Sequence, residues 1–489
     1  MSEIEPETLA TSHRPAPDWI ILLIACMAQF MVVLDVSIVN VALPSMQRSL
    51  HFSLSNAQWV VNAYILTFGG FLLLGGRAAD IFGRRRVYLT GLTIFTLASI
   101  GAGFANSGTQ MIAIRALQGV GGAILSPATL TIIVTTFQGA RLPKAIGAWS
   151  AVAGAGGAVG GLLGGILTGY VSWRWVFFIN VPFGIIAMVL ASTFLQEMRN
   201  RDSAVKLDIT GAVLITGSLA SLIYGVVNTT LHGWGSSSTL TWFFLGAVLM
   251  IGFLFWELKV ASHPLVPFRI FRSRTLSTAN IVMFLVGGAF FAMWYFLTFY
   301  FQNILGYDPV RTGFAFLPMA LGIIAGAQLS SRILTKTGVK PLLLVGTSLA
   351  TLGFLWISLI KTTSTYWGDL FVPTVITAFA IGLLFAPLAT AATADVERSE
   401  SGLASGVLNA ARTVGGAIAL AIFATAATSK SATFLHPTSP IALVGGYQRA
   451  FEISALITFI GLIVSFALPR LTGRQQKIKP EVPSPDAAI

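Results

Sequence analysis

Among the charged residues that stand inside long apolar segments of this chain, Asp35 and Arg115 could take part in proton or ion-pair chemistry. Asp35 lies in "MVVLDVSIVNVALP" (31–44), and Arg115 lies in "IRALQGVGGA" (114–123). Burying either charge alone in a membrane-spanning helix costs about 2.5–3.5 kcal/mol, so each is expected to have a partner or to face an aqueous cavity. A carboxylate in such a place can bind and release a proton, or it can hold two helices together as a fixed ion pair.

The composition identifies the kind of protein that holds these charges. Of its 489 residues, 55% are hydrophobic and only 10% are charged. A soluble protein this apolar would expose large sticky patches, so the composition indicates an integral membrane protein. Cys26 is the only cysteine, which excludes disulfides and cysteine-based metal sites. The chain contains no GxxxxGK[ST] phosphate loop, which removes the simplest case for an ATP-driven pump.

Fourteen apolar segments are about 20 residues long, enough to cross a bilayer as helices. The predicted spans are 19–43, 57–75, 87–105, 109–132, 144–168, 174–195, 209–228, 240–258, 277–303, 312–333, 341–360, 370–393, 403–427 and 450–469. With the N-terminus inside, most of the 30 Lys and Arg residues fall in cytoplasmic segments. The positive-inside rule therefore predicts that both termini are cytoplasmic. It also explains the net charge of +12 without nucleic acid as a partner.

Two pairs of segments, separated by nearly the same offset, indicate an internal repeat. "RAADIFGRR" (77–85) is similar to "RILTKTGVK" (332–340), and "GAILSP" (122–127) is similar to "GLLFAP" (382–387). We therefore expect an all-α membrane protein of fourteen transmembrane helices, with two pseudo-symmetric six-helix bundles and a two-helix insert. The predicted divisions are an N-terminal tail 1–18, a first bundle 19–200, the insert 201–262, a second bundle 263–470 and a C-terminal tail 471–489.

The segment "GGRAADIFGRRR" (75–86), between the second and third spans, resembles the loop signature of the major facilitator superfamily, Gly-x-Leu-Ala-Asp-x-x-Gly-Arg-Arg. Five residues match this signature: Gly76, Asp80, Gly83, Arg84 and Arg85. Ala78 stands where the family usually has Leu. The resemblance implies a conformational latch, in which a carboxylate and arginines pair in one state and part in another. A plain positive-inside loop is the alternative, but it explains neither Asp80 nor the glycine spacing.

The fifth span is rich in glycine. "GAWSAVAGAGGAVGGLLGGIL" (147–167) contains two neighbouring rows of glycines spaced by four residues, a pattern that packs helix on helix. It also resembles the antiporter motif of proton-driven exporters, which implies a tight seal that bends during alternating access. The motif residues are Gly154, Gly157, Gly160, Gly161, Gly164 and Gly165. Because Gly160–Gly161 replaces the usual Gly-Pro pair, the case for a built-in kink is weaker.

Four further stretches resemble the fourteen-helix drug:proton antiporter branch of this superfamily. They are 34–44, 58–64, 173–184 and 402–422. The resemblance implies a proton-driven exporter of lipophilic or amphipathic small molecules in a bacterial-type cytoplasmic membrane. Its partners would be a small lipophilic substrate, the proton and the lipid bilayer. We expect a monomer that uses the proton gradient and no cofactor.

Helix geometry allows Asp35 and Arg115 to meet. Asp35 lies about 12 Å below the outer end of the first span, and Arg115 about 9 Å below the outer end of the fourth, at 1.5 Å per residue. Our hypothesis is that Asp35 binds the transported proton and that Arg115 stabilises its charged form. The alternative is a static pair that braces two helices.

Polar and aromatic residues in several spans are candidates for a substrate cavity. They are Gln29, Asn40, Asn62, Tyr64, Gln118, Met293, Trp294, Tyr295, Gln302, Asn409 and Arg412. Gln29 and Asn40 are eleven residues apart and share one helix face, while Asp35 points roughly 120–140° away from them. For the aromatic group at 293–295, the alternative is a lipid-facing surface with Trp and Tyr at the membrane interface.

Other function classes stay open at this point. A proton-coupled symporter for small-solute uptake is the nearest rival, and the glycine rows and the branch resemblance disfavour it. A membrane receptor or an enzyme is a further alternative. An enzyme would need clustered ionisable residues at one level of the membrane, and only Asp35 and Arg115 meet that condition.

Overall fold

The computed structural model describes residues 17–52, 54–137, 141–197, 207–262, 264–396 and 401–469. In these residues the chain is helical and contains no β-strand, so the all-α prediction is confirmed. The α-helices are α1 Asp18–Leu50, α2 Leu54–Phe82, α3 Arg84–Gly103, α4 Gly108–Thr136, α5 Arg141–Tyr170, α6 Trp175–Phe178, α7 Asn180–Phe194, α8 Ile209–His232, α9 Ser237–Phe255, α10 Arg274–Asn303, α11 Pro309–Thr337, α12 Val339–Ile357, α13 Phe371–Thr393, α14 Ser401–Ser431 and α15 Pro440–Phe466. Short π-helical turns precede α13 (Tyr366–Leu370) and follow α9 (Trp256–Val260), and a 3-10 turn (Phe268–Arg272) precedes α10.

Polar side chains set several helix starts. Ser107, Asp208 and Ser273 each accept a hydrogen bond from a backbone N–H three residues further on, at the starts of α4, α8 and α10. Such caps satisfy backbone donors that have no partner within the helix. Ser439 caps α15 in the same way, with Pro440 at the first helical position. The last helix therefore begins ten residues before the predicted span 450–469, which marked only its most apolar part.

Twelve helical segments are long and apolar enough to cross a membrane, with α6 and α7 together forming one of them. α3 and α5 are not among the twelve in the described residues, although α5 contributes a shorter apolar stretch, Val159–Tyr170. α3 begins with three arginines and contains many Gly, Ser and Thr residues, which lowers its mean hydropathy. The chain is thus a multi-pass membrane protein, and the number of fourteen spans stays a prediction.

The same packing order occurs twice along the chain. α1 packs on α5 and α7, α2 on α4, and α3 on α4 and α7. In the same order, α10 packs on α14 and α15, α11 on α13, and α12 on α13 and α15. The two sets of helices meet where α5 packs on α11 and where α2 packs on α14. We call the membrane side at which α1 begins the tail face, and the opposite side the far face.

The helices α8 and α9 form a hairpin beside the second of these junctions. α8 packs on both α2 and α14, while α9 contacts mainly α8. Thr425 of α14 donates a hydrogen bond to the Val226 carbonyl of α8 at 3.3 Å. On α2, a Cβ at Gly70 would collide with the side chain of Thr216 of α8. The hairpin therefore lies against both sets of helices at one seam.

The two segments of the sequence repeat each contain a glycine with a positive φ angle at the same kind of helix junction. Gly83 ends α2 with φ 95°, and Gly338 ends α11 with φ 78°. An L-residue rarely adopts such angles, so each position favours glycine. In both segments the glycine lies between two consecutive helices at the tail face.

Candidate functional site

Asp35 and Arg115 are in direct contact in the interior. Asp35 comes from α1 and Arg115 from α4, and Arg115 Nη1 donates to Asp35 Oδ2 at 2.5 Å. Asp35 is 0% exposed and Arg115 is 1% exposed. The structure thus brings together the two charges that the sequence placed at similar depths. A charge-assisted bond in such a dry environment is strong, because no water competes for either group.

The second oxygen of the Asp35 carboxylate binds two amides. Oδ1 accepts hydrogen bonds from Gln118 Nε2 of α4 at 2.8 Å and from Asn180 Nδ2 of α7 at 3.3 Å. Both amides also donate to Ser99 Oγ of α3, at 2.8 Å and 3.3 Å. Asp35, Ser99, Arg115, Gln118 and Asn180 are all buried, and we call these five residues the Asp35 cluster. The donors that contact this carboxylate are thus buried side chains of α4 and α7.

Arg115 binds groups from three helices. Besides Asp35, it donates from Nε to the Val60 carbonyl of α2 at 3.1 Å and from Nη1 to Gln118 Oε1 at 2.7 Å. Its guanidinium lies 4.3 Å from the centroid of the Tyr64 ring, a distance typical of a cation–π contact. Arg115 therefore connects the Asp35 cluster to α2, which belongs to the junction with α14.

Two polar atoms at this site have no hydrogen-bond partner among the described residues. They are Asn180 Oδ1 and the hydroxyl of Tyr64, and both are buried. Leaving such an atom unpaired costs roughly 1–3 kcal/mol, so a water or a transferred proton nearby would be stabilised.

Ser99 and Asn180 were not among the predicted site residues. Asn180 lies in "WRWVFFINVPFG" (173–184), and its polar amide within an apolar span could have identified it as a candidate site residue. Ser99 gave no such signal, because serine is common in membrane helices and can bond its own backbone. Gln118 and Tyr64, predicted as cavity residues, lie instead at the Asp35 cluster.

The two glycine rows of α5 face two different helices. A Cβ at Gly160 would lie 2.6 Å from Ser37 Cβ, and one at Gly164 would lie 2.7 Å from the Ile38 carbonyl oxygen, both on α1. In the other row, a Cβ at Gly165 would collide with the Pro309 carbonyl of α11. α5 therefore packs α1, which contains Asp35, on one side and α11 of the second helix set on the other.

The remaining glycines of this motif differ in their surroundings. A Cβ at Gly161 would be in ordinary contact with Phe316 of α11, at 3.5 Å. Nothing in the described part of the chain lies within 4 Å of a Cβ built at Gly157. The Gly157 carbonyl accepts a bond from Ser37 Oγ at 2.7 Å. Gly154 belongs to α5, and its surroundings lie outside the described residues.

Arg85 of the predicted latch and its neighbour Arg86 bind α7 and the residues after it, within the first helix set. Arg85 Nη2 donates to the Ser192 carbonyl at 2.6 Å, and Arg86 lies 3.6 Å from the Glu197 carboxylate. Gly83 has the turn geometry given above and Gly76 packs on Pro127, while Arg84 is half-buried. The side chain of Asp80 lies outside the described residues.

One bond from this loop region reaches the segment that leads into the second helix set. Arg77 Nη2 donates to the Pro264 carbonyl, which lies just before α10, at 3.2 Å. Arg77 was not among the predicted latch residues. Whether the loop acts as a latch stays a prediction.

The predicted cavity residues of α1 and α2 are spread over several contacts. Gln29 accepts a bond from Ser126 Oγ of α4 at 3.3 Å, and Asn40 donates to the carbonyl of Val36 in its own helix at 2.9 Å. Asn62 is fully buried, and neither its Nδ2 nor its Oδ1 has a partner among the described residues.

The aromatic group of α10 is buried inside the protein. Met293, Trp294 and Tyr295 are all 7% exposed or less, so the alternative of a lipid-facing surface is wrong for these residues. The Trp294 ring lies 4.7 Å from that of Phe316 of α11. Gln302 donates from Nε2 to the Val41 carbonyl at 2.9 Å and so connects α10 to α1.

Asn409 and Arg412, the last two candidates, lie half-buried on α14. A shallow apolar groove of about 480 Å³ lies elsewhere, between α11 and α13, and is lined by residues such as Leu321 and Phe379. It contains none of the predicted substrate residues. The structure therefore gathers Asp35, Arg115, Gln118 and Tyr64 at one place and leaves the other candidates spread over α1, α2, α10 and α14.

Comparison with known proteins places this arrangement in a family. The sequence pattern of the Major Facilitator Superfamily matches residues 25–420. The chain is 39% identical over 453 residues to the cephamycin export protein CmcT of Amycolatopsis lactamdurans, covering 92% of both chains. It is 37% identical to the puromycin resistance protein pur8 of Streptomyces alboniger, covering 96% of this chain and 93% of that one.

A third relative and a solved structure extend the comparison. The tetracenomycin C resistance and export protein of Streptomyces glaucescens is 34% identical over 73% of this chain and 66% of its own length. A bacterial homologue of the human lysosomal transporter Spinster, solved in an inward-facing and unoccupied conformation, aligns with a TM-score of 0.63 and 14% identity, over 94% of this chain and 98% of that one. The structural likeness shows the fold, and the sequence relatives are antibiotic export and resistance proteins.

Proposed function

The chain belongs to the major facilitator superfamily, and from this premise we propose that it is a proton-driven antiporter that exports lipophilic or amphipathic small molecules. The relatives support export, because two of them are named for the export of an antibiotic and a third for resistance to one. Members of this family are transporters and not enzymes. Proton coupling, and a cycle that needs no cofactor, are parts of the proposal.

The proposal includes the finer architecture. The repeated packing order supports two pseudo-symmetric six-helix bundles, α1–α7 and α10–α15, with the α8–α9 hairpin inserted between them. We include α3 and α5 as spans, since each lies between helices that are long and apolar enough to cross the membrane. Fourteen spans place both termini on one side, which we propose to be the cytoplasm of a bacterial-type cell. We also propose a monomer.

The Asp35 cluster is the observation that supports proton coupling. Its carboxylate is 0% exposed and both of its oxygens accept hydrogen bonds from buried donors. Proton binding would remove the charge that attracts Arg115, and this would weaken the contact between α1 and α4. If the pair of Asp35 and Arg115 only held α1 and α4 together, no titratable group would be needed, since a hydrogen bond between two amide side chains could do the same.

The helix α5, which packs on α1, provides a physical connection between proton binding at Asp35 and movement of the second bundle. Ser37, two residues after Asp35, bonds the Gly157 carbonyl of α5. α5 in turn packs on α11 of the second bundle through Gly165. A shift of α1 on protonation would therefore displace α5 against the second bundle, the kind of movement that alternating access requires.

Transport into everted membrane vesicles tests the function. With an imposed pH gradient, acidic inside, vesicles containing the protein should accumulate some members of a panel of dyes and antibiotics, and the accumulation should collapse with the gradient. Asp35→Asn keeps the shape of the side chain but cannot titrate, so uptake should fall to the level seen without a gradient.

The matched control is Asp18→Asn. Asp18 lies in the same helix, is half-exposed at the tail face and pairs with Arg141. This variant should transport as the wild type does, because an exposed pair contributes little. Gradient-driven uptake at the wild-type rate in Asp35→Asn would refute the proton-coupling role, and uptake that ignores the gradient in the wild type would refute antiport.

A further inference from the structure

Arg412 is a second arginine in the interior, and its guanidinium has no hydrogen-bond or ion-pair partner among the residues that the structure describes. It lies eleven residues into α14, about 16 Å from the start of that helix at 1.5 Å per residue. Its Nε is buried without a hydrogen bond, and no bond or ion pair from its side chain is found among the described residues. Arg115, by contrast, donates to three acceptors. No described residue therefore compensates the charge of Arg412, and a charge left alone at the centre of a membrane helix costs about 2.5–3.5 kcal/mol.

The residue lies where helices of both sets meet. On one side, a Cβ at Gly287 of α10 would lie 2.5 Å from the Arg412 carbonyl oxygen and 3.0 Å from its Cγ. On the other side, the neighbouring Thr413 contacts α2, since a Cβ at Gly69 would lie 3.2 Å from its Cγ2. Arg412 is thus at the junction of α10, α14 and α2, and its side chain is only half-buried despite this depth.

Other buried polar atoms along the same junction also have no partner in the described part of the chain. On α10 they are Asn280 Oδ1 and Trp294 Nε1, each seven residues from Gly287. Seven residues are close to two helical turns, so these side chains lie on the face of α10 that Gly287 presents to Arg412. On α2, Asn62 lies seven residues from Gly69 and has both polar atoms unpaired. Unpaired buried polar atoms are costly, so their concentration at one junction points to a ligand that binds there.

We infer that Arg412 binds the acidic group of the substrate, so that this protein preferentially transports amphipathic molecules with a carboxylate on an apolar, aromatic body. The inference rests on the proposed export function and specifies its substrate class. A guanidinium with a free Nε can bind both oxygens of a carboxylate, which makes it the side chain best suited to this group. A cationic group would be repelled at the same place. Trp294, against Phe316, offers an aromatic surface for the body of the molecule.

The test compares two probes that differ only in charge. Diethylaminocoumarin carboxylic acid and its primary carboxamide have the same aromatic body, and their binding can be followed by fluorescence anisotropy on the purified protein in phosphatidylcholine nanodiscs. The wild type should bind the acid roughly 10- to 100-fold more tightly than the amide, the range expected for a hydrogen bond to a charged group. Equal affinities, or no measurable binding of the acid, would overturn the inference.

Variants locate the effect at Arg412. Arg412→Gln should lower the affinity for the acid to that for the amide, without changing the affinity for the amide, and Arg412→Lys should retain part of the difference. Arg311→Gln is the matched control, because Arg311 is an exposed arginine at the far face that lies over the Tyr307 ring. A loss of affinity for both probes in Arg412→Gln, with the fold intact by gel filtration and thermal melting, would make Arg412 a structural residue.

A second measurement remains informative if Arg412→Gln does not fold. In a Cys26→Ser background, Asn409→Cys places a single thiol about one helical turn from Arg412, which is kept, and the acid should protect it from an anionic thiol reagent while the amide does not. Protection by both probes, or by neither, would contradict the inference.

Lipid is the other source of an acidic group, and a change of membrane distinguishes it. Nanodiscs containing phosphatidylglycerol should leave the binding of the acid unchanged. Loss of binding there would assign Arg412 to lipid headgroups. All these binding measurements are made without a pH gradient, so they stay valid even if proton-driven uptake fails. Conversely, if only neutral compounds are taken up in response to the gradient, the proposed function stands and this inference is wrong.

Discussion

Arg115 and Arg412 show how differently a membrane interior can hold the same charge. Arg115 is fixed by acceptors from α1, α2 and α4, one of which is the carboxylate of Asp35. Arg412 has no acceptor in the described part of the chain. The surroundings of Arg115 are those of a residue that stabilises another group of the protein. The surroundings of Arg412 are those of a residue that binds a ligand.

A double-mutant cycle measures the coupling in the first pair. Arg115→Gln should lower the free energy of unfolding by about 3–5 kcal/mol, because it leaves the buried Asp35 charge uncompensated. Adding Asp35→Asn removes that charge, so the double variant should be more stable than Arg115→Gln alone. Thermal or denaturant unfolding in detergent gives the comparison.

The same cycle on the exposed pair of Asp18 and Arg141 is the control, and its coupling should stay below about 1 kcal/mol. If the losses from Asp35→Asn and Arg115→Gln simply add, the two residues are not energetically coupled. In that case the charge on Asp35 does not depend on Arg115.

At the level of single residues, the sequence predicted the charged members of the site better than its neutral ones. Asp35 and Arg115 could be recognised because a charge in an apolar span costs free energy whichever direction its side chain faces. Ser99 and Asn180 could not be assigned, because a neutral polar residue becomes a ligand only if its helix is rotated toward the carboxylate. That rotation depends on packing between helices, which one sequence does not specify.

Among the helices, α5 has the most specific contacts. Its row Gly160 and Gly164 packs on α1, and Gly161 and Gly165 face α11. One helix therefore contacts α1, which contains Asp35, and α11 of the second helix set at the same time. Helices can approach this closely only where a residue has no side chain. Alanine adds a single carbon atom to glycine, so a Gly→Ala substitution tests the approach with the smallest possible change.

Two alanine substitutions in the same row test the contact with α11. Gly165→Ala should separate α5 from α11 and reduce gradient-driven uptake, because its Cβ would collide with the Pro309 carbonyl. Gly157→Ala, two turns earlier, meets no described atom and should be neutral or stabilising by up to about 1 kcal/mol, since alanine favours helix. Vesicle uptake and melting temperature are the measurements. Equal behaviour of the two variants would contradict a seal at Gly165.

The elements were predicted well in type, as helices, and less well at their ends. The predicted span 174–195 is divided between α6 and α7, and α1 extends to Leu50, beyond the predicted end at 43. Hydropathy marks the lipid-facing length of a helix, whereas caps such as Ser439 and local hydrogen bonds set its ends. The glycine rows predicted close packing, and their partners, α1 and α11, became known only from the structure.

On the scale of the whole molecule, the repeat in the sequence corresponds to a repeat in packing. Gly83 and Gly338 have similar positive φ angles at equivalent helix junctions, and the helices that follow pack in the same order. The repeat could be recognised from the sequence because these glycines are needed for backbone geometry. The contacts between the bundles, α2 with α14 and α5 with α11, could not, since they join segments far apart in the chain.

Cysteine labelling tests the orientation of the whole molecule. In a Cys26→Ser background, Ser237→Cys lies exposed at the far-face start of α9, and Lys336→Cys lies exposed near the tail-face end of α11. If the tail face is cytoplasmic, a membrane-impermeant maleimide should label Ser237→Cys in intact cells and Lys336→Cys only after permeabilisation. The reverse pattern would place both termini outside, and labelling of both positions in intact cells would contradict the alternating spans.

The position of α8 has a consequence for how a membrane-dissolved compound can reach the interior. α8 covers the seam between α2 and α14, held there by the bond from Thr425 to Val226 and by the contact of Thr216 with Gly70. An amphipathic molecule that diffuses within a leaflet therefore finds this side closed to lateral entry. On the opposite side of the molecule, α5 and α11 meet without a covering hairpin among the described helices. The two junctions therefore present different surfaces to lipid: at one, α8 lies over α2 and α14, and at the other, the close contact of α5 with α11 is itself the barrier.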